Sequence, residues 1–65
     1  MKPNAEGYRP DHKYISSLVE STGLSQPKLG RVLDVKERTI RRWCSGETPA
    51  PYMAQFALEC LVLNP

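Results

Sequence analysis

The sequence predicts an all-α domain of four short helices. Three observations carry that reading. Apolar residues recur at helical spacing in four separate segments. Each segment is bounded by capping residues, proline or glycine, and no stretch alternates apolar with polar residues as a half-buried strand does. Sixty-five residues make one domain. A chain this short buries only about 60% of the surface its unfolded form exposes, so its core is marginal and oligomerisation helps it.

Residues 1–9 are polar, contain Pro3 and Gly7 and show no period, which predicts a flexible arm ahead of a domain spanning 10–65. Asp11 is the expected N-cap of helix one, in which Tyr14, Ile15, Leu18 and Val19 form one stripe and Gly23 is the stop. Ser25 caps helix two, with Pro27 in its first turn, where a missing N–H costs no hydrogen bond. Leu24 and Leu29 stand as a hydrophobic staple, and Leu29, Val32 and Leu33 form the expected inner face. Asp34 and Val35 make a tight connection, Asp34 taking the left-handed conformation that glycine usually supplies. Lys36 then falls at the cap of helix three, and lysine is a poor cap. Ile40, Trp43 and Cys44 face inward, Trp43 as core rather than as a stacking platform, and Gly46 ends the helix. Pro51 opens helix four, expected over 51–62. Met53, Phe56, Ala57, Cys60, Leu61 and Leu63, with Leu58 and Val62 between their stripes, make it apolar almost all round. Such a helix is buried on more than one side, and one small domain cannot cover it, so part of helix four is expected to meet another copy of the chain.

Charge and cysteines narrow the function. No run reaches the roughly 20 apolar residues of a membrane span, and residues 1–20 lack the apolar core of a signal peptide, which predicts a soluble cytoplasmic protein. There Cys44 and Cys60 are expected to stay reduced. The net charge is +2, but residues 28–42 alone carry +4 (Lys28, Arg31, Lys36, Arg38, Arg41 and Arg42 against Asp34 and Glu37), while the remainder is acidic. A basic block in an otherwise slightly acidic chain is the footprint of a polyanion site.

Residues 25–45 carry the pattern of a helix-turn-helix. Two helices of about eight residues joined by a tight turn need a small residue at their approach and apolar residues at fixed steps. Counting from Gln26, Leu29, Leu33, Val35, Ile40 and Trp43 fall at positions 4, 8, 10, 15 and 18, and Gly30 at 5 is the small residue. With Ser25-Gln26, Thr39 to Trp43 and the tail Ser45 to Pro49, this region resembles the Cro/C1-type (XRE-like) helix-turn-helix regulators over roughly residues 12–62. It departs from them at Gly30, where alanine is usual, at Asp34, where glycine is usual, and at Lys36, where a serine cap is usual. Ala50 to Leu61, ending near Asn64-Pro65, resembles the C-terminal segment of anti-CRISPR-associated repressors, small phage-borne proteins that shut down an anti-CRISPR operon.

The resemblance implies a double-stranded DNA partner and a repressor that binds an inverted repeat as a homodimer. With helix three in the major groove, Lys36, Glu37, Arg38 and Arg41 are the expected base readers, Arg38 and Arg41 as bidentate partners of guanine. Glu37 either accepts from a cytosine amino group or pairs with Arg41 one turn along. Gln26 takes the family's phosphate-holding position at a helix N-terminus. Lys28, Arg31, Thr39, Arg42 and Ser45 are the further phosphate contacts, with packing against helix two the other reading of Thr39. Tyr52, Phe56, Cys60 and Leu63 are the expected dimer interface, Tyr52 packing at that seam or against Trp43.

An enzyme is not expected. His12 is the one side chain suited to act as a base at neutral pH, the cysteines lie sixteen apart, and no paired carboxylates, phosphate loop or metal-ligand cluster is present. No cofactor, metal, membrane or small-molecule substrate is expected. The rival reading is an antitoxin or other protein-interaction module on the same fold, since fold alone does not assign DNA reading. Against it, the chain has no long extra segment with which to wrap a toxin, and four cations on one exposed helix are more than a protein binder needs.

Overall fold

The computed structural model describes Lys2–Leu63; Met1, Asn64 and Pro65, and with the last two the end of the C-terminal resemblance, lie outside the described residues. Four helices follow one another: α1 (His12–Ser21), α2 (Gln26–Leu33), α3 (Glu37–Ser45) and α4 (Tyr52–Leu63). Their limits are set by local chemistry. The Asp11 carboxylate accepts the Lys13 N–H at 2.9 Å, and Ser25 Oγ accepts the Lys28 N–H at 3.3 Å. Asp34 closes α2 at φ 56°, and Gly46 closes α3 at φ 85°. Lys36 holds the cap position of α3 without a side-chain hydrogen bond, as expected of lysine. Pro51 lies one residue ahead of α4 rather than inside it, its carbonyl accepting from the N–H groups of Ala54 and Gln55.

Ile15, Leu29, Ile40 and Leu58 are fully buried, one from each helix, with Leu18, Val19, Trp43 and Ala50 around them. Helix α1 packs against both α3 and α4, and α2 packs on α3. Burying one large apolar side chain is worth about 1.5–3 kcal/mol, so each helix contributes one anchor of that size. Gly30 is where α2 and the turn come closest. A Cβ there would lie 2.7 Å from the carbonyl oxygen of Val35, and the Val35 N–H donates to the Gly30 carbonyl at 2.9 Å. Alanine, usual at this position in the resembling family, does not fit this turn.

Two expectations need correction, for Val32 and for the N-terminal segment. Val32, placed on the inner face of helix two, is 51% exposed, while Leu29 and Gly30 are the buried residues of that helix and Leu33 packs against the core beside them. Helix α4 turns Leu58 and Gln55 inward, Gln55 being 1% exposed, while Met53 and Leu63 remain outside. Where a flexible arm was expected, residues 4–9 lie across α4 through a 3-10 turn, Ala5–Gly7. Gln55 is the reason. Its Nε2 donates to the Gly7 carbonyl at 2.8 Å, and its Oε1 accepts the Arg9 N–H at 2.7 Å. Tyr8 donates to the Ala50 carbonyl, and Tyr52 Oη accepts the Asn4 N–H. Peptide groups brought against an apolar helix need such partners, and a buried amide left unpaired would cost about 1–3 kcal/mol. Tyr52 therefore packs against Tyr8 and Phe56, with ring centroids 6.2 Å apart in each pair, and not against Trp43.

Both cysteines are free and half-buried. Burial pushes the Cys44 thiol up, with a hydrogen bond to Ser16 acting the other way.

Candidate nucleic-acid interface

Helix α3 is a ridge with one wet side. Ile40 and Trp43 are buried beneath it, Trp43 at 5% exposure. Arg38, Arg41 and Ser45, at i, i+3 and i+7, are the exposed row directly opposite. Arg42 and Glu37 flank that row and are partly buried, and Lys36 stands exposed where the helix begins. Arg38, Arg41, Arg42, Ser45 and Glu47 line an open groove along the ridge.

Two weak ion pairs cross this surface. Arg41 lies 3.8 Å from Glu37, the i+4 pairing that competes with a base-reading role for Glu37, and Arg42 lies 3.7 Å from Glu47. Both are largely solvated; an i,i+4 helical pair such as Glu37–Arg41 is worth about 0.2–0.5 kcal/mol, and an exposed pair such as Arg42–Glu47 about 0–1 kcal/mol. Among the described residues Lys28, Arg31, Lys36 and Arg38 have no carboxylate within ion-pair distance. Four unneutralised cations on one two-helix unit keep the local potential positive.

The sequence-predicted site residues fall into two groups. Lys28, Arg31, Lys36, Arg38 and Arg41 are exposed on the α2–α3 unit and Arg42 is half-buried, with Arg38, Arg41 and Arg42 on one groove and Arg31 beside Lys36. A second shallow depression, lined by Pro27, Arg31, Asp34 and Lys36, separates the helices there. Gln26 is half-buried at the start of α2, beside the first-turn N–H groups. Thr39 is half-buried, and its N–H bonds to the Lys36 carbonyl at 2.9 Å. Ser45 already spends its hydroxyl on the helix end, donating to the Arg42 carbonyl and accepting from the Glu47 N–H. The second group, Tyr52, Phe56, Cys60 and Leu63, lies on α4. Tyr52 is engaged by Tyr8 and Asn4 of the N-terminal segment, which sequence reasoning did not place there, and Phe56 packs on Tyr52. The one trace of that placement in the sequence is Gln55 with Glu59, a polar i, i+4 pair in an otherwise apolar helix that by itself reads as a solvent-facing stripe.

Among the described residues no cluster of three or more His, Cys, Asp or Glu side chains is close enough to hold a metal ion, and no helix is long and apolar enough to cross a membrane. No family model matches the chain. It is, however, 35% identical to the transcriptional repressor protein KorC of Escherichia coli, over 92% of this chain and 73% of that protein. An identity of that level across nearly the whole helical domain places the chain in the KorC family of transcriptional repressor proteins.

Proposed function

We propose that this protein is a sequence-specific double-stranded DNA-binding repressor that enters the major groove with α3 and acts as a homodimer on an inverted repeat. The observation that carries this reading is the exposed row of Arg38 and Arg41 on a ridge whose opposite side is core, backed by Lys28, Arg31, Lys36 and Arg42. A KorC-like repressor has a use for such a ridge. Arg38 and Arg41 read bases, each bidentate contact with guanine O6 and N7 being worth about 1–3 kcal/mol. That exceeds the worth of the Glu37–Arg41 pair several times, so Arg41 leaves Glu37 when a guanine is presented. Glu37 is then available to a cytosine amino group. Lys28, Arg31 and Arg42 neutralise phosphates, and Gln26 positions one at the start of α2. The uncapped first turn of α3 accepts another, since no side chain competes for its N–H groups. No chemistry is catalysed.

Dimerisation through α4 sets two copies of α3 about 34 Å apart, in successive major grooves. The regulator is of the Cro/C1 type in this reading. The string Ala50 to Leu61 supports a narrower role, autoregulation of an anti-CRISPR operon, which an anti-CRISPR gene beside its own would bear out. A neighbouring toxin gene would favour the antitoxin reading instead.

Selection from random duplex pools tests the proposal. The wild type should enrich a palindromic site, with affinity falling steeply as salt rises. Arg41→Ala should lose about 1–3 kcal/mol of preference at one base-pair position in each half-site. No enrichment over bulk DNA would overturn the reading.

A further inference from the structure

The loop that leaves α3 folds back over the last arginine of the ridge. Gly46 turns the chain at φ 85°, and α1 backs that turn, since a Cβ at Gly46 would lie 2.9 Å from His12 Nδ1. Hydrogen bonds then close the loop on α3. Ser45 Oγ donates to the Arg42 carbonyl at 3.2 Å and accepts the Glu47 N–H at 3.4 Å, and the Thr48 N–H donates to the same carbonyl at 3.3 Å. The Glu47 carboxylate is thereby brought within 3.7 Å of Arg42 Nε, on the groove that Arg38, Arg41 and Ser45 also line. The loop is closed by the Ser45 hydroxyl and by backbone groups, so the carboxylate itself is not needed to hold it. Its charge is therefore placed on the ridge without a structural use.

We infer that Glu47 is an internal competitor of DNA phosphate for Arg42, setting how tightly the ridge holds any duplex rather than which sequence it selects. The inference rests on the DNA-binding role proposed above and adds to it a residue that works against binding. Carboxylate and phosphate present a guanidinium with the same kind of anionic oxygens. For Arg42 to neutralise a phosphate, either it leaves Glu47 or the phosphate settles beside the carboxylate. The first course gives up the ion pair, and the second adds repulsion between like charges. In both, the complex is short of one cation, and fewer counterions leave the DNA. Bases are read by Arg38 and Arg41 in this account, and Glu47 is paired with neither. Phosphate contacts carry no sequence information, so the effect of Glu47 falls alike on every duplex. Glu37 differs in this respect. Its partner Arg41 is a base reader, so the release of that pair depends on the base presented.

Affinities for the selected duplex and for a scrambled duplex of the same length are measured across a salt series. The proteins are the wild type, Glu47→Gln, Arg42→Gln and the double variant, with melting temperatures to show that each folds. Glutamine keeps the length of the side chain and the backbone bonds of the loop and removes only the charge. Glu47→Gln should tighten both duplexes alike, by about three- to tenfold at about 0.1 M salt, and steepen the salt slope by about 0.9. The preference at each base-pair position should not change. In the Arg42→Gln background the same substitution should gain less than about twofold, because the two side chains act as one pair. A gain that persists undiminished there would mean that Glu47 is only one charge of the chain's total, and the inference falls. It also falls if Glu47→Gln gains nothing, or if it loses preference at a single base pair, which would make Glu47 a base reader. Should no site be selected, the series on bulk duplex separates the two readings: a gain that depends on Arg42 upholds the competition and strikes base reading alone, and no binding by any of the proteins overturns both.

Discussion

The unit from Gln26 to Ser45 and the layer formed by α4 with residues 4–9 solve the same problem, covering the core, by different chemistry. In the first, almost every position has one interpretation. Ser25 and Asp34 close the ends of α2, Gly30 lets the turn approach, and Ile40 and Trp43 point inward opposite a row of arginines. In the second, the helix is apolar nearly all round apart from Gln55 and Glu59, and its rotation is set by two distant partners. Leu58 drops into the core, and Gln55 takes the peptide groups of a segment 46 to 48 residues away. Contrast between polar and apolar faces makes an orientation readable, and α4 has little of it.

The largest expected effect tests that rotation directly. Leu58→Ala removes a fully buried anchor and should cost about 2–5 kcal/mol, a large part of the stability of a domain this small. Val32→Ala, in the helix where sequence periodicity points inward, should stay within about 0.5 kcal/mol, because half of that side chain is already in water. Urea midpoints of the two variants decide the matter. Equal costs would mean that α4 does not present Leu58 to the core.

What was legible follows the same division. The left-handed Asp34, the empty cap at Lys36, the buried Trp43 and the number and order of helices were all readable from local rules, since each depends on residues within a turn of one another. Val32 misled because a strip of three apolar residues is wider than the contact two short helices make when one of them is pinned at a glycine. The covering of α4 by residues 4–9 was not readable, because no local period links Asn4, Tyr8 and Arg9 to Tyr52, Ala50 and Gln55. Within α4, Gln55 and Glu59 mark a polar stripe, and a polar stripe ordinarily means solvent. Here it faces inward to hold the chain's own N-terminal peptide groups and the Tyr14 phenol. Of the candidate site, Lys36, Arg38 and Arg41 are exposed and Arg42 is half-buried, whereas the Ser45 hydroxyl is spent on the end of its own helix.

A second, intermediate effect sharpens the account of the α2–α3 unit. Alanine in a helix interior normally gains about 1 kcal/mol over glycine. At Gly30 the added methyl group would meet the Val35 carbonyl oxygen at 2.7 Å, a backbone atom that cannot swing aside. Overpacking of this kind costs about 1–3 kcal/mol, so Gly30→Ala should be destabilising on balance. Because the displaced atom lies just ahead of α3, affinity for the selected duplex should fall by more than the stability loss accounts for. A more stable variant with unchanged binding would show that the turn is held less closely than its hydrogen bond to Gly30 implies.

The smallest effect concerns the polar stripe on α4. Tyr14 donates its phenol proton to the Glu59 carboxylate, and Arg9 lies over its ring, 4.1 Å from the centroid. That hydrogen bond is the main reason the phenol holds its proton above the ordinary value, with burial and the negative charge of Glu59 adding to it and Arg9 opposing. The sign of the linkage follows. A group whose pKa is raised on folding contributes its full stabilisation below the unfolded value, near 10 for tyrosine, and loses it as pH climbs through the folded value. The stability difference between wild type and Tyr14→Phe should therefore be positive and constant near neutrality and should shrink above about pH 10. Comparing the variants at each pH cancels the titration of the lysines, which is common to both. A difference that does not change with pH would mean that the phenol proton is not what joins α1 to α4, and the stripe of Gln55 and Glu59 would then hold the N-terminal segment alone.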